Sequence, residues 1–130
     1  MNYLLDTHTL LWSLIKPDKL SQQTQNILLN TENSLWVSSV SLWEISLKYS
    51  LGKLDLEGVL PEEILEGTKK AGYELLHISP EEASSFYKLP RYNKDPFDRM
   101  LAWQAINKNF ILLSRDKSFD DYQEQGLKRV

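Results

Sequence analysis

The chain contains no cysteine, which excludes disulfides and thiolate zinc centres and suits a reducing cytosol; the cytoplasm is the expected compartment. Histidine is almost as scarce. His8 and His77 stand alone, without ligand spacing, and both read as structural. No apolar run approaches the ~20 residues that span a bilayer, so no membrane segment is expected. The start, MNYLLDTHTLLW, lacks a basic stretch ahead of its apolar residues, so a secretory leader is not expected either. Repeats, low-complexity tracts and a Pro/Gly/Ser-rich linker are missing too, and residues 1–130 are expected to form one domain. Positive charge is also short: 15 Lys and Arg stand against 18 Asp and Glu, a net charge of −3. A general nucleic-acid binder is usually basic, so any contact with nucleic acid must be local or helped by bound cations.

What is present is a series of short apolar runs separated by helical patterns. Tyr3–Leu5, Leu35–Val37, Glu74–Ile78 and Phe110–Leu113 are too short and too uncharged for surface helices, and suit strands buried on both faces. Leu127–Val130 is a marginal last strand. Helices are expected over Thr7–Ile15, Ser21–Asn30, Ser41–Leu51, Pro61–Ala71, Ser79 to about Lys88, Pro96–Lys108 and Lys117 to about Gln123. Ser79-Pro80-Glu81-Glu82 is a capping box. Strands that alternate with helices imply an α/β fold: a three-layer α/β/α sandwich whose central, mostly parallel sheet has four to five strands.

In such a sheet the strands point their C-terminal ends at one edge, where ligands bind at the switch in strand order. Asp6 follows the first strand, and Glu44 lies one turn into the helix after the second. Asp98 sits in the first turn of the helix leading into the fourth strand, and Asp116 comes three residues after that strand. All four are expected at that edge. Each also has an ordinary reading. Asp6 and Asp116 can be helix N-caps. Ser41-Leu42-Trp43-Glu44 matches a capping box, and Glu44 with Lys48 makes an i,i+4 ion pair. In KDPFD, Asp95 can cap the helix with Pro96 at its first position, while Asp98 suits the helix dipole. Four carboxylates at one edge are harder to accept as caps alone. Two of them ~4 Å apart repel by about 4 kcal/mol at an effective dielectric of 20. A divalent cation relieves this, and all-oxygen ligation suits Mg²⁺ or Mn²⁺.

These residues resemble a known family. LLDTHTLLW is similar to the first strand and first acid of PIN-domain ribonucleases, VSSVSLWEISLKYSLGKL to their second acid motif, KDPFDRMLAWQA to the third and ILLSRDKSF to the fourth. Together, from about residue 2 to 120, they look like the VapC toxins of bacterial toxin–antitoxin pairs. The resemblance implies an α/β/α sandwich, Mg²⁺- or Mn²⁺-dependent cleavage of RNA, a cognate antitoxin protein and a homodimer. It carries the metal-ligand and catalytic roles to Asp6, Glu44, Asp98 and Asp116. Thr7 stands where the family often has Thr or Ser beside the first acid. Asp95 is the helix cap with an additional supporting role, and Arg99 orients a carboxylate or touches a phosphate. One departure is Asn93, where relatives with DPFD often carry His.

Around the acids, Arg91, Lys94, Arg99, Arg115 and Lys117 are available to grip RNA phosphates. Tyr92 is available to stack a base; each is equally an ordinary solvated loop residue. Trp12, Trp36, Trp43 and Trp103 read as core or interface. Two other functions use the same residues. One is a metal-dependent phosphohydrolase with Asp6 as nucleophile. Haloacid dehalogenases, however, have a second Asp two residues on, and His8 stands there. The other is a non-catalytic metal- or RNA-binding module of the same fold.

Overall fold

Short apolar runs become the central strands here because their side chains are buried on both faces of the sheet, while the two edge strands are partly exposed. The computed structural model describes all 130 residues. Strand β1 spans Asn2–Leu5, β2 Ser34–Ser38, β3 Glu74–Leu76, β4 Ile111–Leu113 and β5 Lys128–Arg129. They form one sheet in the order β3-β2-β1-β4-β5, and every neighbouring pair is parallel. The alternation of side chains along a strand sorts the core. Leu4, Trp36, Leu76 and Leu112 point to one face, while Tyr3, Leu5, Leu35, Val37, Ile111 and Leu113 point to the other.

The second face is covered by α1 (Thr7–Ile15), α2 (Gln22–Leu29), α3 (Ser39–Ser50) and α4 (Pro61–Lys70), through Leu10, Leu11, Ile27, Ile45 and Ile64. The first face is covered by α6 (Pro96–Lys108), after the short α5 (Pro80–Ser85), and by a 3-10 segment over Lys117–Gln125. Leu101, Ala102, Ala105, Phe119 and Tyr122 pack there. This is the expected three-layer α/β/α sandwich, with five strands, all parallel. No helix is long and apolar enough to cross a membrane.

Several local expectations change. The helix after β2 starts at Ser39, two residues early, because Ser38 ends the strand and caps the helix by accepting Val40 N–H. The Ser41–Glu44 capping box therefore does not form; Ser41 and Glu44 are buried inside the helix instead. The box at Ser79 and Glu82 does form. The segment after Asp116 is 3-10 rather than α, closed by Gly126 at φ +99°. Trp43, read as core or interface, is 61% exposed, while Trp12, Trp36 and Trp103 are half-buried.

Candidate active site

Strand order reverses between β1 and β4: successive strands step one way from β1 to β3, and the chain then crosses to the other side of β1. The C-terminal ends of these two strands are tied by Asp6 N–H donating to Leu113 C=O at 3.1 Å. The carboxylates gather beside this point. A cavity of about 250 Å³ is lined by Asp6, Thr7, His8, Trp12, Glu44, Lys48, Asp95, Asp98, Arg115 and Asp116. All four acids singled out in the sequence are in it, from four separate segments.

Asp6, at the end of β1, is buried and does two things. Its Oδ1 caps α1 by accepting Thr9 N–H at 2.8 Å, and its Oδ2 accepts the Ser114 hydroxyl at the end of β4. Ser114 Oγ in turn accepts Asp116 N–H at 3.1 Å. One serine thus joins the first and last acids. Asp116 is exposed and caps the 3-10 segment by accepting Ser118 N–H at 2.9 Å. Glu44 is 3% exposed. Its Oε1 accepts the Thr7 hydroxyl at 2.6 Å, with Ser41 Oγ 3.1 Å from that same hydroxyl, and its Oε2 is ion-paired to Lys48. The i,i+4 pair read from the sequence is therefore present inside the cavity. Burial pulls the Lys48 ammonium down, but the bond and charge of Glu44 outweigh it and leave its pKa raised.

Asp95 and Asp98 differ as their positions suggest. Asp95 Oδ1 caps α6 by accepting Phe97 N–H at 2.9 Å, and Pro96 opens the helix. Asp98, in the first turn, is held only by a long contact from Asn93 Nδ2, at 3.4 Å. Its carboxyl is pushed up to about 7, chiefly by burial and then by the charges of Asp95 and Glu44, with a smaller push from Asp6; Asn93 opposes the shift. A carboxyl raised this far by burial, with like charges adding to the shift, marks a site with excess negative potential.

The donors are all oxygen, as a hard divalent cation prefers. No three His, Asp or Glu side chains close into a ready ligand cage, however. Glu44 is drawn to Lys48 and Thr7, Asp6 to Thr9 N–H and Ser114, and repulsion among the acids opposes closer approach. The chemistry of the donor set suits Mg²⁺ or Mn²⁺, and Asp98 is the carboxylate least committed to partners within the protein.

The remaining expected residues separate. Thr7 and Arg115 line the cavity. Arg99 does not: its Nη2 donates to Leu89 C=O at 3.0 Å, and its guanidinium lies 4.5 Å over the Phe86 ring. Tyr92 packs on Tyr122, 5.3 Å between ring centroids. Tyr122 pins the loop leading to α6, donating to Pro90 C=O at 2.8 Å and accepting Asn93 N–H at 3.1 Å. His8, read as structural, is exposed on the cavity wall, its ring tilted against Trp12. Ser114 and Ser41 escape a reading of the sequence, since a lone serine carries no signal until strand register brings it to an acid.

A comparison with curated protein sequences gives no significant match. Among solved structures the chain is similar to VapBC-1 from nontypeable Haemophilus influenzae, at 20% identity and a TM-score of 0.69, covering 100% of this chain and 97% of that one. It is similar to VapBC from Salmonella typhimurium in its DNA-bound structure, at 18% and 0.68, with coverage of 100% and 97%. VapBC2 from Rickettsia felis, bound to a DNA fragment of its promoter, gives 18% and 0.66, with coverage of 100% and 98%. At these identities the likeness is one of fold. The family model of the PIN domain matches residues 3–125, nearly the whole chain, and with four acids meeting where that sheet switches direction, the protein belongs to the PIN-domain family.

Proposed function

We propose that the chain is a metal-dependent endoribonuclease, the toxin of a toxin–antitoxin pair, and that Asp6, Glu44, Asp98 and Asp116 carry its metal and its chemistry. The observation behind this reading is the meeting of four carboxylates from four segments in one cavity, with Asp98 pushed up to about 7. The fold shared with VapBC proteins supports the toxin assignment. A bound Mg²⁺ or Mn²⁺ lowers the pKa of its water and offsets charge on the phosphoryl oxygen. The protein's own part is to hold the ligands. Ser114 and Thr9 N–H fix Asp6, Thr7 fixes Glu44, and Lys48 shares the negative charge until a cation arrives. Asp116, exposed at the rim, acts directly or through water.

The aspartyl-nucleophile reading is weakened by Asp6 itself, because both of its oxygens already accept hydrogen bonds. An antitoxin is the natural inhibitor, and a surplus of carboxylates favours a partner Arg or Lys reaching into the cavity. Two copies of the chain are expected to pair. RNA as substrate puts the work in the cytoplasm.

The test is cleavage of RNA by the purified chain in Mg²⁺ or Mn²⁺ and in EDTA, alongside Asp98→Asn. Cleavage should vanish with the chelator and in the variant, which retains its fold because Asn still accepts a hydrogen bond. Full activity in Asp98→Asn removes Asp98 from the assignment. Cleavage that persists in EDTA removes the metal.

A further inference from the structure

Beside the carboxylate cavity lies a second cleft of opposite character. It measures about 410 Å³ and is lined by Thr9, Lys19, Leu20, Ser21, Thr24 and Arg115. Arg115 borders both cavities. The first is walled by five acids, Asp6, Glu44, Asp95, Asp98 and Asp116, and the second by none. Neither Lys19 nor Arg115 joins an ion pair; the chain's salt bridges engage Lys16, Lys48 and Arg129 instead. In a protein of net charge −3, two unneutralised cations around an acid-free hollow make a local positive site next to a negative one.

The polar groups in the cleft fit the same ligand. Thr9 is 3% exposed, borders the hollow, and makes no side-chain hydrogen bond within the protein. At the start of α2, Ser21 Oγ accepts Thr24 N–H at 3.1 Å. Arg115 is also held in place: its guanidinium carbon lies 5.3 Å over the Trp12 ring. A cation–π contact of this kind fixes a planar guanidinium without neutralising it, leaving its donors for an anion.

Resting on the ribonuclease reading above, we propose that this cleft binds a backbone phosphate of the single-stranded RNA next to the scissile one, with Lys19 and Arg115 as its cations and Trp12 positioning Arg115. A strand crossing the carboxylate cavity is repelled there except where a metal neutralises the acids. Its affinity must come from phosphates on either side, and this cleft is a positive surface that shares Arg115 with the cavity. The cleft thereby sets the side on which the flanking nucleotides lie. A protein partner's carboxylate fits the charge less well, because a phosphodiester also uses the Thr9 and Thr24 hydroxyl donors around one anion, the Ser21 hydroxyl being already donated to Thr24 Oγ1 at 3.0 Å.

The experiment measures binding, separate from cleavage. Eight-nucleotide single-stranded RNAs, each with one neutral methylphosphonate linkage moved along the strand, are titrated by fluorescence anisotropy in Ca²⁺. The proteins are the native chain, Lys19→Met, Arg115→Gln, Trp12→Leu and Trp12→Phe. Lys19 and Arg115 are exposed, so folding is not at stake in their variants. The native chain should lose about tenfold or more at one linkage, the scale of a charge-assisted contact. Lys19→Met and Arg115→Gln should be indifferent to that linkage, and each should lower the slope of log K against log salt by about 0.7. Trp12→Leu should share the indifference of Arg115→Gln, and Trp12→Phe should restore the response. Variants with the native profile and slope overturn the cleft assignment while RNA cleavage by the native chain stands. The same holds for variants that bind RNA normally but no longer retain a co-purified protein partner, which gives the cleft to that protein. A native chain that neither binds nor cleaves RNA brings down the ribonuclease reading and this proposal together.

Discussion

At the scale of single residues, Asp95 and Asp98 show how three positions in a chain separate a carboxylate that caps a helix from one left buried without a cap. Asp95 has its oxygen on Phe97 N–H. Asp95→Ser should therefore keep most activity and stability, while Asp95→Ala should cost about 1 kcal/mol in urea unfolding. A serine variant as inactive as Asp98→Asn would make Asp95 a ligand. Asp98 predicts a pH effect. It ionises near 3.8 in the unfolded chain and about 7 in the folded one. Below 3.8 both states hold the proton, and Asp98 leaves the folding balance unchanged. As pH rises toward 7 the unfolded chain releases its proton first, so the metal-free native state loses stability across this window; the loss is complete above 7. Asp98→Asn should flatten the curve and be the more stable protein at pH 8; superimposable curves would show that Asp98 is not under this strain. The positions of Asp6, Asp98 and Asp116 were legible in the sequence because each follows a strand or opens a helix, and that of Glu44 because it lies in the first half of the helix after β2. Lys48 was legible only as an ion pair, and Ser114 not at all, since its contact with Asp6 joins residues 108 apart in the chain.

At the scale of elements, two helices must be aligned for Glu44 on α3 and Asp98 on α6 to share a cavity. Ser38 does this at the base of α3. Its hydroxyl donates to Gln104 Oε1 on α6 at 2.6 Å while its oxygen caps α3, and Gln104 Nε2 reaches His77 C=O at 3.4 Å. Ser38 and Gln104 are fully buried. Ser38→Ala should cost about 1 kcal/mol for the cap and about 1–3 kcal/mol more for the orphaned amide oxygen. The measurement is chemical unfolding together with cleavage rate; a loss below 1 kcal/mol would mean that water replaces the hydroxyl. Element type was readable from periodicity almost everywhere. The start of α3 was not, because Ser38, Ser39 and Ser41 are all competent caps and the register of β2 selects among them. The 3-10 geometry after Asp116 was also hidden, because its polar pattern suits either helix.

At the scale of the whole molecule, α3 also carries an outward stripe. Trp43, Leu47 and Leu51, four residues apart, are 61%, 38% and 57% exposed. A stripe of this kind is costly to leave in water. The proposed pairing of two copies predicts that Leu47→Glu lowers the mass seen by light scattering from that of two chains to that of one; an unchanged mass would put the contact elsewhere. The sheet order was open in the sequence, since alternating strands and helices specify parallel neighbours but not which strand lies in the middle. The middle strand is β1, and that has a consequence in time. Asp6 precedes by 108 residues the serine that holds it, which lies beyond β4, and β4 must settle against β1 before the two meet. While the chain is still being translated, the cavity lacks one wall. On the proposed ribonuclease reading, the site is thus unfinished during translation until β4 has emerged and paired with β1, a delay that would give a partner made alongside it time to be waiting.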